Sequence, residues 1–180
     1  MDLSKAIGLL ALEFKARGIN CALMGGYALG AYGVGRATLD LDLLVDAGDL
    51  PKLAEAMAAL GYEKAYSSEN VSQYVSRMAE LGEVDFIHAF RPAAAKMLQR
   101  AVPMPGLPPG QELKVLRPED IIGLKVQAIA NNPERKHRDS ADIEELLRAA
   151  DVDWAAVKEY MELFNMGEYY RELKAKYGGK

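Results

Sequence analysis

The stretch Thr38-Leu39-Asp40-Leu41-Asp42-Leu43-Leu44-Val45 constrains this chain more than any other. Its alternation of apolar and acidic residues predicts a β-strand over Leu39 to Val45, with Leu39, Leu41 and Leu43 on one face and Asp40 and Asp42 on the other. The leucine row asks for burial. The two carboxylates then stand about 7 Å apart on the opposite face, where like charges in a partly dry setting repel. Aspartate is also disfavoured in strands. Two readings follow: a half-exposed strand with acids on its wet side, or a site where a divalent cation offsets the repulsion. Oxygen-only donors suit Mg²⁺, which keeps water and substrate phosphate in its remaining positions.

A third carboxylate fits the second reading. Glu83-Val84-Asp85-Phe86-Ile87-His88 reads as another strand, with Asp85 between apolar neighbours. If the two strands are adjacent, Asp40, Asp42 and Asp85 form one cluster able to hold two Mg²⁺ ions, an arrangement that clamps the attacking and leaving oxygens of a phosphoryl transfer. Taken singly, Asp85 is equally an edge residue facing water. Upstream, the apolar run Cys21-Ala22-Leu23-Met24 ends in Gly25-Gly26 and opens into a short helix expected over Tyr27–Tyr32. Bare backbone N–H groups at a helix start suit a phosphate, although a Gly-Gly pair after a strand is also an ordinary tight turn. No Gly-Lys-Ser/Thr follows, so this is no Walker loop, and Gly30, Gly33 and Gly35 are mis-spaced for a dinucleotide fingerprint. A phosphatase of the haloacid dehalogenase type, whose first Asp ends a buried strand, is disfavoured because Gly35-Arg36-Ala37-Thr38 precedes Asp40.

The organisation of the rest fits an α/β (α+β) protein: a small mixed sheet with flanking helices, followed by a C-terminal helical bundle. Helices are expected from about Ser4 to a stop at Gly18 and from Leu50 to Leu60; further strands at 62–66 and 72–78 complete the sheet, the latter antiparallel to the Asp85 strand through the Glu80-Leu81-Gly82 turn. Five of the eight prolines fall between Pro103 and Pro118, which marks an irregular crossover over 103–117, with room for a short edge strand, between a core at 1–102 and a helical region at 118–180. Helices are predicted there over 118–131, 138–149, 153–164 and 166–176. The formal charge of −4 is unevenly spread, with 7 basic and 12 acidic residues in positions 1–90. That argues against a DNA-coating protein, though not against a local basic face. A single cysteine, Cys21, leaves no disulfide or thiolate site and points to a reducing cytoplasm. Glu13 and Lys15 interrupt the first helix, so it reads as amphipathic and not as a signal peptide or membrane span.

Taken together, Gly25-Gly26, Arg36, Thr38, Asp40-x-Asp42 and Asp85 resemble the nucleotidyltransferase superfamily, the fold of DNA polymerase beta in its minimal bacterial form. Arg117-Pro118-Glu119-Asp120-Ile121-Ile122-Gly123-Leu124-Lys125 is similar to the helix start that carries a lysine in that superfamily. Arg138-Asp139-Ser140-Ala141-Asp142-Ile143 is similar to the corresponding stretch of the abortive-infection (AbiEii-like) toxin branch. The resemblance implies Mg²⁺-dependent transfer of a nucleoside monophosphate from an NTP to a hydroxyl acceptor (RNA, protein or small molecule) with release of pyrophosphate. It implies that Gly25 and Gly26 lie against the triphosphate, with Thr38 in the same nucleotide-binding group. Asp40, Asp42 and Asp85 would hold metal, Arg36 and Lys125 would meet phosphate oxygens, and Asp139 would join the catalytic set. Gly26 stands where many active relatives carry Ser. The alternatives of another class are an inactive nucleotide-binding module and an interaction module paired with an antitoxin-like partner.

Other readings of the later residues stand beside these. Lys125 sits among Ile121, Ile122, Leu124, Val126 and Ile129, where it would snorkel from a buried helix. Arg135-Lys136-His137-Arg138 is a solvated loop or an RNA-backbone contact, and Asp139 is a helix cap. His88, His137 and Cys21 read as structural, and Trp154, Val157, Met161 and Phe164 as a helical core stripe.

Overall fold

Period-two burial of the leucine row makes the acidic segment the middle strand of a seven-stranded mixed sheet. The computed structural model of the chain describes residues 2–35, 38 and 40–179. Arg36 and Leu39, both singled out above, lie outside the described residues. The chain divides into two compact units: Met1–Ala31 with Arg36–Leu116, and Tyr32–Gly35 with Arg117–Lys180.

In the first unit, helix α1 (Leu3–Arg17) opens where the Asp2 carboxylate accepts the Lys5 N–H, at 3.0 Å. It ends at Gly18, whose φ of 62° is the left-handed cap that glycine adopts without penalty. Its buried stripe of Ile7, Leu10, Ala11 and Phe14 is the one expected from the spacing. Strand β1 (Cys21–Met24) runs straight into α2 (Gly25–Ala31), which starts at the glycines and not at Tyr27. Strand β2 (Leu41–Asp46) is followed by α3 (Leu50–Ala59), β3 (Tyr62–Ser67), β4 (Val71–Ser76), β5 (Glu83–Ala89) and α4 (Pro92–Arg100). Proline at the first turn of α3 and of α4 removes only N–H groups that a helix start leaves unbonded anyway.

The Pro-rich crossover carries short strands at the sheet edge, as its composition allows. Strands β6 (Val102–Pro103) and β7 (Lys114–Val115) extend the sheet, giving the order β3-β4-β5-β2-β1-β7-β6. Strand β2 is antiparallel to β1 and parallel to β5. One sheet face carries Leu41, Leu43, Val45, Val84, Phe86 and Tyr74, all buried, with Phe86 edge-on to Phe14 at 6.1 Å and to Tyr74 at 5.7 Å. Burial of each such side chain is worth about 1.5–3 kcal/mol, which fixes the register and with it the opposite, acid-bearing face.

The second unit contains α5 (Pro118–Asn131), α6 (Lys136–Ala149), α7 (Trp154–Leu163) and α8 (Gly167–Tyr177). Helix α6 starts two residues before the expected position, so Lys136, His137 and Arg138 belong to its first turn and not to a loop. Gly123 of α5 lets the Tyr160 ring of α7 lie on the helix backbone: a Cβ there would stand 2.6 Å from the ring. Val157 and Met161 are fully buried; Trp154 meets Tyr170 edge-on at 6.1 Å under the Lys174 ammonium. Helices α6 and α8 are tied at Glu144, which accepts from Arg148 (3.0 Å), Lys176 (2.8 Å) and Tyr177 (2.6 Å). Among the described residues no helix is long and apolar enough to cross a membrane.

Candidate active site

Strand register brings the acids together. Asp42 of β2 pairs with Asp85 of β5 in the parallel ladder and with Met24 of β1 in the antiparallel one. Directly paired residues on neighbouring strands, about 4.8 Å apart, share a face. Asp40 lies one residue before β2, in a bend where the Thr38 hydroxyl donates to the Asp40 carbonyl at 3.2 Å. The expected strand is thus shorter at its start, and Asp40 is exposed beside the ladder instead of within it. Its charge still reaches Asp85. Partial burial pushes the Asp85 carboxyl above its ordinary pKa, a hydrogen bond from the Gln73 side chain opposes that, and the Asp40 carboxylate adds to the upward shift.

The glycines have a reason that their sequence does not display. Gly25 has φ of 64°, and a Cβ on it would come within 2.7 Å of the Asp42 carboxyl carbon; a Cβ on Gly26 would meet the Thr38 hydroxyl at 2.9 Å. Asp42 and Thr38 are therefore seated against bare backbone at the start of α2. Gly25→Ala is expected to cost about 1–2 kcal/mol for the left-handed backbone alone, and to expel the Asp42 carboxylate as well. Gly26→Ala displaces only Thr38. Thermal unfolding will show the first variant losing more stability.

The donor set of Asp40, Asp42 and Asp85 is chemically right for a hard divalent cation: all oxygen and mutually repelling, with Asp85 partly desolvated. Among the described residues, however, no three His, Cys, Asp or Glu side chains are already gathered as a metal-binding group. The expected ready-made cluster is thus an in-register pair, Asp42 and Asp85, with Asp40 alongside. Mg²⁺ is ordinarily bound by one or two carboxylates with other oxygen ligands in its remaining positions, a role the residues present fit without a third acid in the ladder.

The other candidates assemble in the helical unit. The Lys125 ammonium donates to Asp139 at 3.1 Å and to Asp142 at 2.5 Å, and the Arg135 guanidinium donates to the second Asp139 oxygen at 2.8 Å. Asp139 is fully buried, in the first turn of α6, and is not the helix cap. Burial works to raise its pKa, but the Arg135 hydrogen bond and the Lys125 charge outweigh that and hold it below the ordinary carboxylate range. His88 is satisfied on both sides: its Nδ1–H donates to the Glu69 carbonyl at 2.9 Å and its Nε2 accepts from the Ser72 hydroxyl at 3.0 Å. Burial pushes the Cys21 thiol up to about 12, which makes it an inert core residue. Gln73 is the neighbour of Asp85 that the sequence does not single out; only strand register reveals it.

Several solved structures share this fold. The antibiotic-resistance factor ANT(2'')-Ia, in solution, superposes over 100% of both chains with a TM-score of 0.69 at 16% identity. An antigenic nucleotidyltransferase-like protein from Paracoccidioides brasiliensis gives 0.70 at 20% identity, over 99% of this chain and 93% of that one. The lincosamide antibiotic adenylyltransferase LnuA, solved with lincomycin bound, gives 0.52 at 13% identity over 76% and 91%. No curated protein matches the sequence. The family described as uncharacterised nucleotidyltransferase matches residues 2–172, nearly the whole chain and both of its compact units. With the acidic ladder and the glycine seat in place, this chain belongs to the nucleotidyltransferase superfamily and is an enzyme of that type.

Proposed function

We propose that the chain transfers a nucleoside monophosphate from an NTP to a hydroxyl group of a small acceptor, releasing pyrophosphate. The observation that carries this reading is the pairing of Asp42 with Asp85 across β2 and β5, next to the Gly25 seat. Mg²⁺ held by Asp40, Asp42 and Asp85 would neutralise charge on the phosphates and lower the pKa of the attacking hydroxyl. Asp85 accepts the acceptor's proton as its oxygen attacks the α-phosphorus, and the bond from that phosphorus to the bridging oxygen breaks. Gly25 and Gly26 hold Asp42 and Thr38 in place and offer the opening N–H groups of α2 to a phosphate. Arg36 is assigned to the phosphates. Lys125, engaged by Asp139 and Asp142, is assigned to the stability of the helical unit.

A small acceptor is favoured over RNA or protein because two proteins of this fold were solved with small molecules: ANT(2'')-Ia with adenylyl-2''-tobramycin and LnuA with lincomycin. Nothing comparable favours a toxin-branch activity or an antitoxin-like partner. Incubation with each α-labelled NTP, Mg²⁺ and parallel sets of hydroxylated small molecules, total RNA and protein extract should place label on a small molecule. Label confined to RNA or protein would overturn the acceptor assignment.

The raised Asp85 pKa sets a pH signature. Transfer needs the ionised carboxylate, so the acid-side fall in kcat/KM should lie at a higher pH than an ordinary aspartate would set. The stability effect has the opposite sign. With the folded pKa above the unfolded one, the ionised group costs stability above its folded pKa, and that cost is relieved as pH falls through it. Asp85→Asn should therefore abolish transfer while raising the thermal midpoint near neutral pH.

A further inference from the structure

Gln73 is the residue of β4 directly paired with Asp85 in the antiparallel β4–β5 ladder. The same register continues to Asp42 on β2, so Gln73, Asp85 and Asp42 form one row across three strands on one face. Gln73 is exposed, whereas its chain neighbours Ser72 and Tyr74 are buried on the opposite face. Direct pairing across the ladder sets its carboxamide beside the Asp85 carboxylate, a neutral donor next to a charged acceptor. A carboxylate has two oxygens and free rotation about its last bond. A donor on the strand away from Asp42 is placed to restrain that rotation.

We propose that Gln73 is a positioning residue that orients the Asp85 carboxylate toward the metal–nucleotide site, a role that rests on the function proposed above. The chemistry favours glutamine here. A cation would pair with the carboxylate and compete with the metal for it, and a second acid would repel it. A neutral amide directs the group while leaving its charge available. Carboxylates that ligate metals are commonly held this way by outer hydrogen bonds, whose loss weakens metal binding about 10–100-fold.

The test follows binding and not turnover. Mn²⁺ is titrated into the full-length protein with saturating α,β-methylene-ATP, which is not cleaved at the transferred phosphate, and bound ion is read from water-proton relaxation enhancement. Gln73→Met keeps the length of the side chain and removes the donor; Gln73→Ala removes both. Each should weaken Mn²⁺ binding about tenfold with a thermal midpoint close to wild type, because the residue is on the surface. If Met restores wild-type affinity where Ala does not, the side chain only fills space and the proposal fails. It fails too if both variants bind as wild type while Asp42→Asn and Asp85→Asn lose the ion. Unchanged binding in those two Asn variants would instead overturn the carboxylate site itself, and with it the function proposed above.

Discussion

Asp42→Asn is expected to lower nucleotidyl transfer by on the order of 10³-fold, the scale of losing one fixed electrostatic contact or more at a phosphoryl-transfer centre, without loss of stability. Asp42 sits in the acidic row, in register with Asp85 and seated against Gly25. Asparagine keeps the shape that this seat requires and removes only the charge. The near-isosteric change preserves the packing against Gly25, so the loss expected is of activity and not of the fold. A variant that loses activity and keeps its thermal stability marks a residue retained for chemistry. If Asp42→Asn instead lowers the unfolding midpoint and retains transfer, the row is structural. Chemical denaturation and initial rates on one preparation settle the matter.

Lys125→Met should show the converse pattern, with a loss of about 3–5 kcal/mol of stability, the range for removing one partner of a buried ion pair. The Lys125 side chain is only 10% exposed, and its two partners, Asp139 and Asp142, are 0% and 8% exposed. Methionine fills the same volume, so the expected cost is electrostatic: two buried carboxylates lose their shared ammonium. Adding Asp139→Asn and Asp142→Asn to Lys125→Met should recover much of the loss, since neutral replacements of buried ion clusters are often tolerated. Urea unfolding of the single and triple variants measures both effects. A wild-type unfolding curve for Lys125→Met, combined with a large rise in KM for NTP, would return the residue to the phosphates.

These two residues also mark how far the sequence could be read. Alternation alone put Asp42 on the correct face of a real strand, because period-two burial of Leu41 and Leu43 leaves it no other side. The same pattern overran its start: Asp40 belongs to a bend that the Thr38 hydroxyl closes, a local hydrogen bond invisible to hydrophobic periodicity. The pairing of Asp42 with Asp85 is a matter of register between segments more than forty residues apart, and no local signal encodes it. Gly25-Gly26 was legible as a turn, while its need for bare backbone arises only once Asp42 and Thr38 pack there. Lys125 was legible as a residue on a buried helix. Its partners lie 14 and 17 positions further on, across an intervening turn, and no local signal in the sequence points to them. Gln73 carried no signal: a polar residue on the outer face of an alternating strand acquires meaning only from the neighbour opposite it.

The most direct measurement of the central claim compares ATP labelled at the α-phosphate with ATP labelled at the γ-phosphate, for wild type and Asp42→Asn, with and without Mg²⁺. Nucleotidyl transfer at the acidic row predicts that α-label moves to the acceptor and γ-label appears in pyrophosphate. Both should depend on Mg²⁺ and both should be lost in Asp42→Asn. Transfer of γ-label to the acceptor, or α-label transfer that persists in Asp42→Asn, would contradict it.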